Sequence, residues 1–136
     1  MMAFRFDKLT IKAQEAVQRS QELAAERGNP QIDPLHLLAA LVGETEGVVR
    51  PILDKIGANR QQLERIITAE LGHLLKSSSG STPGASEGLS KVLEAAARQA
   101  ETMRDEFVST EHLLLGLVRT KGKAQDTLKL NAVGEK

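Results

Sequence analysis

Two histidines stand in matching surroundings, and their chemistry could be that of acid–base catalysis or of metal binding. His36 lies in the segment 32–42, IDPLHLLAALV, and His112 lies in the segment 108–118, VSTEHLLLGLV. A catalytic pair needs a group that it activates, and a zinc site needs three or four ligands close together. Cysteine is absent, and the third histidine, His73, lies on another predicted helix. We therefore interpret both histidines as side chains that bond near a helix start or pack between helices.

Two acidic residues near His112 are the other candidates for chemistry. Glu111 directly precedes this histidine, and Asp105 lies six residues before Glu111. Paired carboxylates can transfer protons, but no nucleophile or metal-ligand set completes such a site, and the helix dipole favours an acid at a helix start. The segment 116–124, GLVRTKGKA, lacks the spacing of a phosphate-binding loop. We predict no catalytic, cofactor-binding or metal-binding residues, and we expect that the chain is not an enzyme.

The amino-acid composition argues against several classes of binding partner. The chain has 136 residues, 18 basic and 18 acidic side chains, and no tryptophan or tyrosine. Zero net charge and only three phenylalanines argue against nucleic acid as a ligand. No apolar run reaches the roughly 20 residues of a membrane span, and no signal peptide is visible. The absence of cysteine is typical of a reducing compartment. These features predict a cytoplasmic domain that binds neither nucleic acid nor membranes.

Apolar residues recur at three- and four-residue spacing, which predicts helices that position these side chains. The first four predicted helices are 10–27, 33–43, 47–56 and 59–74. Two more begin after the capping residues Ser86 and Ser109, and the last spans 123–130. The segment 76–84, KSSSGSTPG, is rich in small polar and helix-breaking residues and is predicted to be a flexible linker.

The two histidine segments belong to an internal duplication with an offset of 76 residues. They agree closely at six of eleven aligned positions, and the apolar register continues upstream at Ala13/Leu89 and Ala24/Ala100. We predict an all-α fold of seven to eight helices, in two repeats related by a pseudo-twofold axis. Residues 1–75 form the first repeat, 76–84 the linker and 85–136 the second, together one globular domain. The second repeat is truncated: after a one-residue slip at the seventh helix, Gly134 matches Asn59, and no mate of the fourth helix follows.

The alanine-rich segment of the fifth helix has two interpretations. Ala95, Ala96, Ala97 and Ala100 place small side chains on several faces. Such residues allow helices to pack closely, or they line a shallow groove that accepts apolar side chains of another polypeptide. The sequence leaves both interpretations open.

The sequence resembles a known family at several motifs. Residues 6–10 (FDKLT), 12–16 (KAQEA) and 32–41 (IDPLHLLAAL) are similar to the first Clp repeat, and 108–117 (VSTEHLLLGL) is similar to the second. This double repeat forms the N-terminal domain of the Clp family of AAA+ ATPases. The first repeat is most similar to the ClpB branch, the protein disaggregases. The ClpC branch, unfoldases that serve a protease, is the near neighbour.

The resemblance implies a role in a longer protein. Such a parent is a homohexamer that uses ATP and magnesium in downstream modules, which are absent from this chain. It extracts polypeptides from aggregates under stress such as heat shock, and it cooperates with the DnaK system in refolding. The N-terminal domain, a monomer when isolated, captures unfolded or aggregated polypeptides. By the same resemblance, Thr10, Asp105 and Glu111 take part in binding them.

Two other functions remain as alternatives. The domain could dock an adaptor for a ClpC-like or ClpA-like unfoldase that feeds a protease, or it could be a small free-standing helical enzyme. The second alternative requires a site that the sequence does not reveal. The resemblance also implies a groove of apolar residues, whose positions the sequence does not give.

Overall fold

The computed structural model describes residues 6–76 and 82–130, and most of this backbone is helical. A short 3-10 turn, Phe6–Lys8, precedes the first helix. The helices of the described residues are α1 (Ile11–Glu26), α2 (Pro34–Gly43), α3 (Val49–Lys55), α4 (Arg60–Leu71), α5 (Glu87–Thr102), α6 (Thr110–Arg119) and α7 (Lys123–Leu130). Two strands of two residues each, β1 (Gln31–Ile32) and β2 (Gly84–Ala85), pair in parallel. The predicted all-α fold class is confirmed.

Polar side chains start the longest helices at the predicted positions. The Thr10 hydroxyl accepts the backbone N–H of Ala13 at 3.1 Å at the start of α1. The Ser86 hydroxyl accepts the backbone N–H of Leu89 at 3.0 Å at the start of α5. Each bond satisfies one N–H that has no partner inside its helix, and such a cap contributes about 1 kcal/mol.

The duplication is preserved in the helix boundaries. Adding 76 to the bounds of α1 gives those of α5, and adding 76 to the bounds of α2 gives those of α6. The turn after α1 contains Gly28 with φ of 75°, and its mate after α5 is Arg104 with φ of 60°. The second repeat therefore keeps a left-handed turn that favours glycine, although a side chain is present there.

Two short backbone pairings join the repeats. Ile32 lies opposite Ala85 in the parallel strand pair, and Leu9 forms a parallel bridge with Val108. Adding 76 to 9 gives 85, and adding 76 to 32 gives 108. Both pairings are therefore the same contact with the two repeats exchanged, which is the predicted pseudo-twofold relation.

The helices α2 and α6 lie at the centre of the core. Leu38 on α2 has 0% of its surface exposed, and its mate Leu114 on α6 has 5% exposed. These helices contact each other as well as α1 and α5, respectively. Helices that are apolar around most of their circumference are buried on most sides, as predicted for α2.

Some predicted boundaries differ from the structure. The fourth helix ends at Leu71 and not at Leu74, because the N–H groups of His73 and Leu74 bond three residues back and tighten the chain into a turn. The third helix spans Val49–Lys55 and is shorter than the predicted 47–56, because Val48 is the residue that precedes its first turn.

The predicted linker also extends one residue too far. Gly84 belongs to β2, where its N–H donates to the carbonyl of Pro30 at 3.4 Å. Residues 77–81 of the linker lie outside the described residues, as does Gly134 with the rest of 131–136.

Candidate functional site

The three residues implied by the resemblance gather where the two repeats meet at the Leu9–Val108 bridge. Thr10 follows Leu9, and its backbone N–H donates to the carbonyl of Val108 at 3.0 Å. The N–H of Val108 donates in turn to the carbonyl of Lys8 at 2.8 Å. We call this region the Leu9–Val108 junction. It places the N-terminus of α1 beside the segment that leads into α6, although the two are far apart in sequence.

Asp105 occupies the turn between α5 and this junction. Its carboxylate oxygen Oδ2 lies 2.9 Å from Nε2 of His112, whose side chain is only 3% exposed. The Asp105 side chain is 46% exposed. One face of the carboxylate is therefore held by a buried ring, while the rest of it faces solvent.

Glu111 stands in the first turn of α6 and is partly exposed. Its carboxylate makes no hydrogen bond or ion pair with any residue of the described ranges 6–76 and 82–130. The first N–H groups of α6 give this end of the helix a partial positive charge, which stabilises the carboxylate. Glu111 is thus a charged group available to a ligand.

The two equivalent histidines act locally, as interpreted from the sequence. Nδ1 of His36 accepts the N–H of Asp33 at 2.8 Å, and Nδ1 of His112 accepts the N–H of Ser109 at 2.9 Å. Each histidine thereby bonds the residue that caps its own helix. Burial lowers the pKa of His36, and the charge of Arg27 lowers it further, against the raising effect of Asp33.

Apolar side chains flank the Leu9–Val108 junction on both chain segments. Phe6 is 52% exposed and lies three residues before Leu9, at the start of the 3-10 turn. Phe107 is 45% exposed beside Val108, and Met103 is 47% exposed at the end of α5. A patch of exposed apolar side chains with a polar rim is typical of a surface that binds another polypeptide.

An open cavity near this junction was not predicted from the sequence. It has a volume of about 450 Å³ and lies between α1 and the end of α2, with Ala16, Leu41 and Thr110 among its lining residues. Its mate in the other repeat is lined by Val92, Leu117 and Pro34, which are the equivalent positions, and it measures about 130 Å³. The small residues of α1 and α2 were the available signal, but the volume depends on how the helices pack.

The alanine-rich segment packs inside the domain. Ala96 is fully buried, and Ala95 and Ala100 are 7% and 3% exposed. A Cβ built on Gly116 of α6 would lie 2.6 Å from the carbonyl oxygen of Val92 and 3.1 Å from the N atom of Ala96. The close-packing interpretation therefore holds for these three alanines, whereas Ala97 is only partly buried.

The described residues contain neither a metal-ligand cluster nor a membrane-spanning helix. Across residues 6–76 and 82–130, no three histidine or acidic side chains are grouped as metal ligands. In the same part of the chain, no helix has the length and apolar character that crossing a bilayer requires.

Comparison with known proteins identifies the family. The model of the Clp repeat N-terminal domain matches residues 8–131, which is most of the chain. The chain belongs to this family. It is 45% identical over 134 residues to the chaperone protein ClpB of Rhodopirellula baltica, covering 98% of this chain and 15% of that protein. It is 37% identical over 131 residues to ClpB of Bacteroides thetaiotaomicron, covering 96% and 15%. The chain thus spans about 15% of the length of these relatives.

Solved structures of Clp N-terminal domains share the fold. The Hsp104 N-terminal domain from Candida albicans matches with a TM-score of 0.83 and 23% identity, covering 93% of this chain and 83% of that one. The ClpV N-domain in complex with a VipB peptide matches with a TM-score of 0.76 and 19% identity, covering 92% and 79%. The second structure shows that a domain of this fold holds a peptide of another protein.

Proposed function

We propose that this Clp domain captures exposed segments of unfolded or aggregated polypeptides for a ClpB-like, ATP-driven disaggregase. The Leu9–Val108 junction carries the proposal. There, the cap residue Thr10 and the carboxylates of Asp105 and Glu111 lie among half-exposed apolar side chains.

This combination suits weak binding of many different segments. Burial of apolar surface contributes affinity in proportion to the area removed from water, whatever the sequence of the ligand. Carboxylates accept N–H groups of a polypeptide, and they disfavour acidic segments. A ligand bound in this way dissociates readily, which is an advantage when it must be passed on to a pore.

The remaining functions belong to the parent protein, of which this chain corresponds to about 15% of the length in its relatives. We propose that ATP and magnesium bind in the other modules of a homohexamer, which works with the DnaK system in the cytoplasm. The domain itself acts as a monomer without cofactor or catalysis.

A titration tests the proposal at single residues. The probe is a basic protein that has been reduced and carboxymethylated so that it cannot refold. It is added to the ¹⁵N-labelled chain while amide chemical shifts are recorded. We expect shifts at Thr10, Asp105 and Glu111. Binding without shifts at the Leu9–Val108 junction would contradict the assignment of the site, and no binding at millimolar probe would contradict the function.

A pair of charge-neutralising variants sharpens the test. Glu111→Gln removes a charge from the first turn of α6, and Glu87→Gln removes one from the first turn of α5 at the equivalent junction of the other repeat. Both remove the same favourable interaction with a helix dipole. We expect only Glu111→Gln to weaken probe binding, by several-fold, and equal weakening by both variants would point to net charge alone.

The alternative is an adaptor-docking domain of a ClpC-like or ClpA-like unfoldase. The ClpV N-domain complex favours it, since there the ligand is a peptide of one defined protein. Under this alternative, the carboxymethylated probe binds poorly, and affinity purification of the chain recovers one folded protein in a fixed ratio.

A further inference from the structure

Each of the equivalent turns after α1 and α5 has one side chain that bonds the histidine of the next helix, but the type of that side chain differs between the repeats. In the first repeat, Nε2 of His36 lies 2.9 Å from Oδ1 of Asn29. In the second, Nε2 of His112 lies 2.9 Å from Oδ2 of Asp105. Asn29 and Asp105 are 76 residues apart, as are the two histidines, so the bonds are mates. We call each of them a histidine clasp.

The first clasp is entirely internal. Asn29 is 4% exposed, and its Nδ2 donates to the carbonyl of Leu75 at 2.8 Å, so both ends of its side chain are used inside the domain. This clasp joins the turn after α1 to the segment that follows α4.

In the second clasp, the acidic side chain is about half exposed to solvent. Asp105 bonds His112 through one oxygen, and its side chain is 46% exposed. The backbone N–H of Ser109 donates to Nδ1 of His112, which leaves Nε2 as the ring nitrogen that donates to Asp105. The orientation of the carboxylate is therefore fixed from inside the protein.

We propose that His112 is a positioning residue that holds Asp105 ready for a polypeptide ligand, whereas His36 has a structural role alone. This inference rests on the proposed function, because it takes Asp105 as a binding residue. A carboxylate that is already ordered avoids the loss of side-chain entropy that binding would otherwise require.

Matched variants separate the two roles. Glutamine is a usual third residue of a helix capping box, so His112→Gln and His36→Gln keep an acceptor for the cap residue's N–H. They replace the rigid imidazole N–H with an amide on a flexible side chain, which does not hold its partner in one orientation. Asp105→Asn retains an oxygen that accepts from His112 and removes the charge. All variants are made in the full chain, and affinity for the carboxymethylated probe is measured together with the urea midpoint.

We expect His112→Gln to weaken binding about 3- to 10-fold, the loss that follows when one interface side chain must be ordered on binding. His36→Gln should lower the urea midpoint at least as much, because its clasp is fully buried, and change affinity less than twofold. In the Asp105→Asn background, His112→Gln should have no further effect on affinity, since His112 acts through the charge that is already lost.

The outcomes distinguish this inference from the proposed function. Unchanged affinity of Asp105→Asn would refute the binding role of Asp105 and with it the inference. Weakening by Asp105→Asn but not by His112→Gln would refute the inference alone, as would equal weakening by the two histidine variants. A further measurement needs no ligand. Three-bond NMR couplings to Cγ of Asp105 report its χ1 angle, and they should indicate a single rotamer in the wild-type chain and an average over rotamers in His112→Gln.

Discussion

The contact between α5 and α6 allows a stability prediction to be worked out from atomic distances. Gly116 lies in the middle of α6, where an added Cβ would stand 2.6 Å from the carbonyl oxygen of Val92. Ordinary van der Waals contact begins near 3.4 Å, so the helices would have to separate by about 0.8 Å, the difference of the two distances. Because the obstacle is backbone, no side chain can rotate away.

Two opposing effects set the magnitude for Gly116→Ala. Overpacking of a close interior contact costs about 1–3 kcal/mol, and a backbone obstacle places this contact at the upper end. Alanine stabilises a helix interior by about 1 kcal/mol relative to glycine. The net expectation is a loss of about 2 kcal/mol in the free energy of unfolding. At about 4 °C per kcal/mol, this lowers Tm by about 8 °C.

Urea denaturation followed by circular dichroism measures the change. Gly88→Ala serves as the control, since a Cβ at that position of α5 meets Pro34 at 3.4 Å, which is ordinary contact. This variant should leave the free energy of unfolding unchanged or raise it by up to about 1 kcal/mol. A Gly116→Ala chain that unfolds at or above the wild-type midpoint would show that α5 and α6 do not pack at backbone contact.

Three further predictions concern individual side chains. Leu38→Ala and Leu114→Ala should each lower the free energy of unfolding by about 2–5 kcal/mol in urea titrations, because both leucines are buried at equivalent places, and near-neutral effects would contradict the pseudo-twofold core. Thr10→Ala should cost about 1 kcal/mol in the same assay through the lost cap, whereas Thr10→Ser should cost little. Burial lowers the pKa of His36 in the folded chain, so the unfolded chain takes up a proton first as the pH falls. The urea midpoint should therefore be constant above about pH 7.5 and fall as the pH drops through about 6.5, and His36→Gln should flatten this dependence.

The repeats could be predicted from the sequence because periodicity and capping are local signals. The offset that aligns His36 with His112 also aligns both ends of α1 with α5 and of α2 with α6. The histidine clasps carry a weaker signal of the same kind. Asn29 and Asp105 each lie seven residues before a histidine, but only the turn geometry shows that the side chains meet.

Other features depend on packing between distant segments. The strand pair has two residues in each strand, too few for a recognisable alternation of apolar and polar side chains. The proximity of Thr10 to the segment before Glu111 depends on the Leu9–Val108 bridge, so motif resemblance could indicate these residues but not their arrangement. The cavity volumes of about 450 Å³ and 130 Å³ depend on how the helices and their side chains pack, which periodicity does not report.

The exchanged pairings have a consequence for the order of synthesis. Leu9 leaves the ribosome early, but its partner Val108 follows 99 residues later, and contacts between such distant residues form slowly during folding. The first repeat can form α1 and α2 before Val108 is synthesised. The Leu9–Val108 junction, however, forms only after most of the chain has emerged. The surface that we propose to hold unfolded polypeptides is thus among the last parts of the domain to assemble, so a nascent chain would not present it to clients before the domain is nearly complete.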